Sequence, residues 1–318
     1  MPRDHYIPQF YLKNFSKSKS DKIQVYERNS KGFITNVKNV AAENNFYTVV
    51  DRKTGESYRV IESFFSEVEG DVAPIIKKLL EADKINISTR EKEILATFTT
   101  LLFIRDLRFR EKLKNFYSEF MKNTMAILVK NREAYRRYIE RGGIHFNSDK
   151  EFEGHVRFIE EKAYDLSFDS EEYFLGISIQ LGIDCTPFIL NKTLQILIIE
   201  NKNFFITSDS PVTLFRESKV PNPFGLGFLW DSIILPISPS RCLIFCDNDG
   251  AEKEILECTQ EKVNLININT VKYANKFLFA DRYSEEIQDI FNKTSEEEST
   301  RVSVQMFGNY LVSSFEKR

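Results

Sequence analysis

The sequence predicts an α+β protein in which N-terminal β-hairpins and C-terminal β segments, joined in a mixed or antiparallel sheet, flank a large central helical block. Three observations predict it. Short β-prone runs separated by turns fill the first sixty residues, an apolar period of about 3.6 takes over from Ile61, and β-prone runs return beyond Pro187.

In chain order, "HYIPQFYLKNF" (residues 5–15) places four aromatic rings within eleven residues. A chain start this apolar is expected to be docked, because undocked termini fray. "KIQVYER" (22–28) and "FITNVKN" (33–39) around "NSKG" read as one hairpin, and "NNFYTVV", "DRKTG" and "ESYRVIE" over 44–62 as a second. From Ile61 the residues Phe64, Phe65, Val68, Val72, Ile75, Ile76, Leu79 and Leu80 form one helical stripe, interrupted by Pro74. Ser88 and Glu91 have capping-box spacing ahead of a long pattern carrying Leu95, Phe98, Leu101, Leu102, Leu113 and Phe116. Helical patterns then run to about Leu181, with a break at "RGG" (141–143). "TLQILIIE", "NKN" and "FFITSDSPVTLF" predict a hairpin between 193 and 215, its first strand buried on both faces. A loop, "PNPFGLG", precedes "SIILPISPSRCLIFC", which reads as strand, turn, strand. A helix over 259–280, a shorter one over 284–292 and a last strand, "RVSVQMF", complete the chain. One compact domain is expected over 1–318, with soft seams near 60 and 190 separating a β-rich layer, a helical block and a β-rich part.

Composition narrows the function classes. With 42% hydrophobic and 29% charged residues the chain belongs with globular proteins and not with disordered ones. The 28 phenylalanines are expected to fill the core. A net charge of -3 supplies no global attraction for nucleic acid or anionic membrane. The charge is unevenly spread, however: residues 105–141 carry eleven basic and five acidic side chains, and residues 149–172 nine acidic and three basic. These two stretches either pair with each other as packed helices or leave a basic strip for phosphates. Cys185, Cys242, Cys246 and Cys258 lack zinc-ribbon spacing, and no apolar run suggests a membrane span or signal peptide. A reducing cytoplasm is the expected compartment.

The strongest local signal is "FITSDSPV" (205–212), where Thr207, Ser208, Asp209 and Ser210 emerge as a buried β run ends. Strand ends are favoured places for functional groups, although Asp and Ser before Pro also form turns that bond their own backbone. His5 is the candidate acid/base partner of Asp209, since imidazole titrates near neutrality, and Gln9, Ser208 and Ser210 are candidate substrate contacts. Glu62 and Glu69, seven apart on the first helix, could hold a divalent cation such as Mg together with Asp209. Arg105 and Arg108, three apart on one helical face, could clamp a phosphate or carboxylate, or pair with a neighbouring acidic helix. A face with Phe109, Phe116 and Phe120 is either core or a homodimer surface. There is no G-x-x-x-x-G-K-[ST], G-x-G-x-x-G, G-x-S-x-G or H-E-x-x-H pattern, which argues against P-loop hydrolases, Rossmann dehydrogenases, α/β-hydrolases and zincins.

"HYIPQFYLKNF", "AAENNFYT" (41–48), "FITSDSPV", "LPISPSRCLIF" (235–245) and "NINTVKYANKFLFA" (267–280) together resemble a bacterial family, domain of unknown function 4238. That family often has Asn where Ser210 stands here. The resemblance implies organisation over nearly the whole chain and brings no activity with it. The expectation from the residues is a metal-assisted hydrolase acting on a phosphate-containing substrate such as nucleic acid, or alternatively a non-catalytic module that binds protein or nucleic acid.

Overall fold

A computed structural model describes residues 3–17, 20–44, 46–50, 54, 57–162, 164–166, 171–200, 202–215, 232–247, 254–294, 301–307 and 310–316, with only the backbone of 49, 50, 57, 60, 107, 108, 171, 172, 254 and the last two stretches. The chain opens with β1 (Arg3–His5), α1 (Gln9–Lys13), β2 (Lys22–Glu27), β3 (Phe33–Asn36), a 3-10 turn (Val37–Asn39), β4 (Ala42–Asn44), β5 (Val49–Val50) and β6 (Ser57–Tyr58). Both expected N-terminal hairpins form, β2 with β3 and β5 with β6. β1 returns onto β4, His5 standing opposite Ala42.

The helical block follows as α2 (Val60–Glu81), α3 (Thr89–Ile104), α4 (Leu107–Leu128), α5 (Arg132–Arg141), α6 (Asp149–Glu160) and α7 (Glu171–Leu190). The predicted stripe of α2 is buried at Phe65, Val72, Ile75, Ile76 and Leu79. Ser88 and Glu91 make the full capping box of α3. The break at 141–143 is present, with Gly143 at φ +87, a left-handed conformation that costs glycine least. A further break falls at Arg105, which caps α3 and ends what the periodicity ran together. α7 continues past Leu181 to Leu190, with Pro187 inside it. That extension gives Tyr173–Leu190 a mean hydropathy of 1.4, long and apolar enough to cross a membrane by length and composition, in contrast to the sequence expectation.

The later elements are β7 (Thr193–Ile198), β8 (Thr207–Ser208), β9 (Thr213–Phe215), β10 (Ser232–Ser238), β11 (Arg241–Cys246), β12 (Glu254–Glu257), α8 (Gln260–Tyr273), β13 (Phe277–Ala280), α9 (Glu285–Lys293), β14 (Arg301–Phe307) and β15 (Tyr310–Glu316). The expected hairpin between 193 and 215 does not form. β7 pairs with β11 and β12, β8 with β13, and β9 with β10. The intervening run crosses between sheets because its backbone is claimed elsewhere: Phe205 N donates to Pro239 O at 2.8 Å, and the Asn267 amide bonds both Ile206 N and Phe204 O. The expected helix over 259–280 likewise stops at Tyr273, and Phe277–Ala280 becomes a strand between β2 and β8. The "PNPFGLG" loop lies outside the described residues.

The backbone groups into two units. One contains the elements from β1 to α3, most of α7, β7 to β13 and α9. It holds a mixed sheet in the order β12-β7-β11-β10-β9 and an antiparallel sheet in the order β3-β2-β13-β8. Its main core joins Tyr11 and Phe15 of the chain start to Val25, Leu79, Leu95, Ile196, Leu243 and Phe279. The opening aromatic segment is therefore docked, and burial of such rings is its driving force. Phe109 is buried against Phe103. The other unit contains most of α4, then α5, α6 and the β14–β15 hairpin. Here Phe116 stacks on Phe120, while Arg132 pairs with Glu160, Arg136 with Asp149 and Lys122 with Asp165, so the basic and acidic stretches meet each other.

Candidate functional site

Asp209 leaves the end of β8 directly beside the start of β13, and its own N–H donates to Phe277 O at 3.1 Å. The carboxylate then accepts three backbone amides: Asn275 N on Oδ1 at 2.8 Å, and Lys276 N and Phe277 N on Oδ2 at 2.7 and 3.0 Å. These three amides belong to the turn between the end of α8 and the start of β13, so the carboxylate fixes the turn that leads from helix to strand. Asp209 is only 3% exposed. Burial pushes its carboxyl up to about 6 and the charge of Asp106 adds to this, while the three amides pull the other way. Beside it, Ser208 Oγ accepts Ser210 N at 3.0 Å, the local turn that the sequence allowed. Ser210 Oγ is buried without a hydrogen-bond partner among the described residues.

Asp209 also lines a cavity of about 310 Å³. One wall is a face of the antiparallel sheet, carrying Val25, Phe33, Thr35 and Phe277. The opposite wall is the segment that includes β1 and β4, carrying Arg3, Tyr6 and Glu43, and Asn275 and Lys276 lie at the end near Asp209. Tyr6 is held there by its N–H to Ala41 O at 3.0 Å and by its ring against Phe46. Its hydroxyl is raised above the ordinary tyrosine range, first by burial and then by the charge of Asp209. The cations differ in freedom: Arg3 Nη2 donates to Asn39 O at 2.7 Å, whereas the Lys276 side chain is 65% exposed, with Nζ 4.0 Å from Glu27.

The histidine of the opening motif lies outside this cavity lining. His5 Nε2 stands 3.2 Å from Lys38 O, and Nδ1 stands 3.5 Å from the side-chain amide of Gln9. Burial holds His5 below its ordinary value, the bond to Lys38 opposing. The motif's neighbour Tyr6 is thus the residue that reaches the cavity with Asp209. Tyr11 of the same motif serves the docking: its hydroxyl donates to Pro236 O at 2.5 Å and lies 2.8 Å from Thr207 Oγ1, linking the two sheets.

The remaining candidates are engaged separately. Arg105 is 1% exposed, pairs with Glu69 at 2.7 Å and lies 3.6 Å over the Phe65 ring. This guanidinium is engaged within its own chain, although its Nε has no hydrogen-bond partner among the described residues. Glu62 pairs with Arg59, which also meets the buried Asp4. Glu62, Glu69 and Asp209 therefore each have a different partner, and among the described residues no three His, Cys, Asp or Glu side chains gather as a metal-holding group. Arg108 lies on α4, but its side chain is outside the described residues. Sequence reasoning missed Arg3, Tyr6, Asp106 and Lys276. Tyr6 had a signal, since it sits in the quoted opening motif; Arg3 is brought in by strand pairing, Lys276 by the turn after α8, and Asp106 by the junction of α3 and α4.

A family model described as "Protein of unknown function (DUF4238)" matches residues 3–284. No curated protein and no solved structure matches the chain.

Proposed function

The chain belongs to the DUF4238 family, and from its own residues we propose that it is a non-catalytic binding module whose cavity between the antiparallel sheet and the β1–β4 segment receives an anionic ligand. The observation that carries this reading is the pair of cations, Arg3 and Lys276, on a cavity with apolar walls. A mostly apolar pocket with a few convergent polar groups is the usual form of a ligand site, and 310 Å³ is at the small end of that range. The carboxylate of Asp209 is already occupied by three amides, which leaves the cations as the available recognition groups. The test is titration of inorganic phosphate into isotopically labelled protein, followed by amide NMR. Saturable shifts at residues 3, 43 and 275–277, weakened in Lys276→Ala, support the module; a cavity whose amides ignore phosphate ends it.

A second reading rests on the placement of Asp209, a carboxyl buried in the cavity lining and raised by that burial to about 6. A carboxyl poised near neutrality in a cleft suits proton transfer. In that reading the chain hydrolyses a phosphate-containing substrate such as nucleic acid, with Asp209 exchanging the proton and Arg3 and Lys276 holding the anion. Turnover of a generic phosphodiester that disappears in Asp209→Asn, while phosphate binding persists, would favour the hydrolase over the module.

A further inference from the structure

We propose that the ligand of this cavity is an extended acidic segment of a partner protein, which adds to the antiparallel sheet as a strand alongside β3. The inference rests on the binding-module reading and specifies what the module binds. Three features carry it.

The first is the edge. Among the described strands β3 ends the sheet, with β2 on its inner side only. An edge strand presents unpaired backbone donors and acceptors, and soluble proteins commonly blunt such edges with proline or inward charge. The sequence of β3, "FITN", contains neither. Phe33 O accepts Gln24 Nε2 at 3.3 Å, so the pairing is assigned to residues 34–36.

The second is side-chain alternation. Phe33 and Thr35 line the cavity, so Ile34 belongs to the opposite face of the strand. Phe33 is 43% and Ile34 61% exposed, so each face of the strand offers one large apolar group to an added neighbour. A strand added here would send alternate side chains towards the cavity and the others beside Ile34.

The third is charge. Residues 28–40, which contain β3 and its flanks, hold Arg28, Lys31 and Lys38 and no acidic side chain. Lys31 and Lys38 flank β3 and Arg3 bonds Asn39 O just beyond it, so exposed cations stand along the edge, while Lys276 lies two strands inside and Glu43 is the opposing charge. An incoming strand with carboxylates on its cavity face and apolar side chains on the other fits both surfaces.

The experiment uses fluorescence anisotropy with a dye-labelled, amidated heptapeptide that alternates aspartate and valine, and with the same peptide N-methylated at alternate amides. We expect saturable binding by the full chain, reduced about tenfold or more by methylation, since each methylated amide loses a backbone bond. Lys38→Ala, at an exposed position next to β3, should weaken the unmodified peptide several-fold with an unchanged circular dichroism spectrum. Equal binding of the methylated peptide overturns strand addition. Failure of both peptides to bind overturns the acidic-segment ligand, and the phosphate titration separately decides whether the cavity binds anions at all. A chain that sediments as a dimer and becomes monomeric in Ile34→Lys would place a second copy on this edge and overturn the proposal.

Discussion

The Asp209 carboxylate accepts the backbone N–H of Lys276 at 2.7 Å, so the residue whose exposed ammonium stands at the cavity is fixed at its main chain by a buried acid. One contact thereby links the end of β8, the end of α8 and the candidate site. The position of Lys276 depends on Asp209, although the two side chains have opposite exposure.

Replacing Asp209 with Asn should therefore destabilise the fold. The side-chain oxygen of Asn can still accept, but its NH2 faces backbone donors, and a buried unsatisfied donor costs about 1–3 kcal/mol. Urea denaturation of Asp209→Asn should show a loss in that range. A variant as stable as the wild type would mean that the three amide bonds contribute nothing.

The pH dependence follows from the same carboxyl. Its pKa rises on folding from 3.8 to about 6, so the folded chain binds the proton more tightly than the unfolded chain. The sign is fixed: this contribution is fully present below the unfolded value and is lost as pH rises through the folded one. Wild-type stability should fall relative to Asp209→Asn between about pH 4 and pH 6. A flat difference across that window would show that the three amides offset burial completely.

Tyr11→Phe isolates the docking of the chain start. The ring stays and only the bonds to Pro236 O and Thr207 Oγ1 are lost. A loss of about 1–2 kcal/mol is expected, because the buried Pro236 carbonyl loses its donor and the Thr207 hydroxyl loses its acceptor. Thermal unfolding followed by near-ultraviolet circular dichroism would read it.

Glu69→Gln removes the charge opposite the buried Arg105. Since Glu69 itself is a quarter exposed, water screens part of the pair, and the expected cost is about 1–3 kcal/mol, below that of a fully buried pair. Addition of Mg should leave Glu69→Gln and wild type equally stabilised, because Glu69 is engaged with Arg105. A magnesium-dependent gain confined to the wild type would restore Glu69 as a metal ligand.

Glu43→Gln should strengthen phosphate binding several-fold, by removing the exposed carboxylate on a cavity that also carries Arg3 and Lys276. Weaker binding in that variant would mean that Glu43 orients a cation instead of repelling the anion.

Local patterns carried much of the fold. The alternation in Lys22–Glu27 and Phe33–Asn36, the stripe of α2 and the capping box of Ser88 and Glu91 are each local signals, and each element forms where its signal lies. The errors share one cause. Thr193–Ile198 and Thr213–Phe215 look like hairpin partners because they are near in sequence, yet each finds a better partner farther along the chain. Phe277–Ala280 continues a helical apolar pattern, but its place between β2 and β8 overrides it.

The candidate site divides in the same way. The sequence by itself determined that Asp209 ends a buried strand, that the opening aromatic segment is docked and that the chain resembles its family, because these depend on residue type and short spacing. Only tertiary structure decided that Tyr6, and not His5, reaches the cavity with Asp209, that Arg105 pairs with Glu69, and that Arg3 and Lys276 lie on one pocket. Those relations join residues up to 273 positions apart, and they arise from strand pairing and the binding of three turn amides by Asp209, which no local pattern encodes.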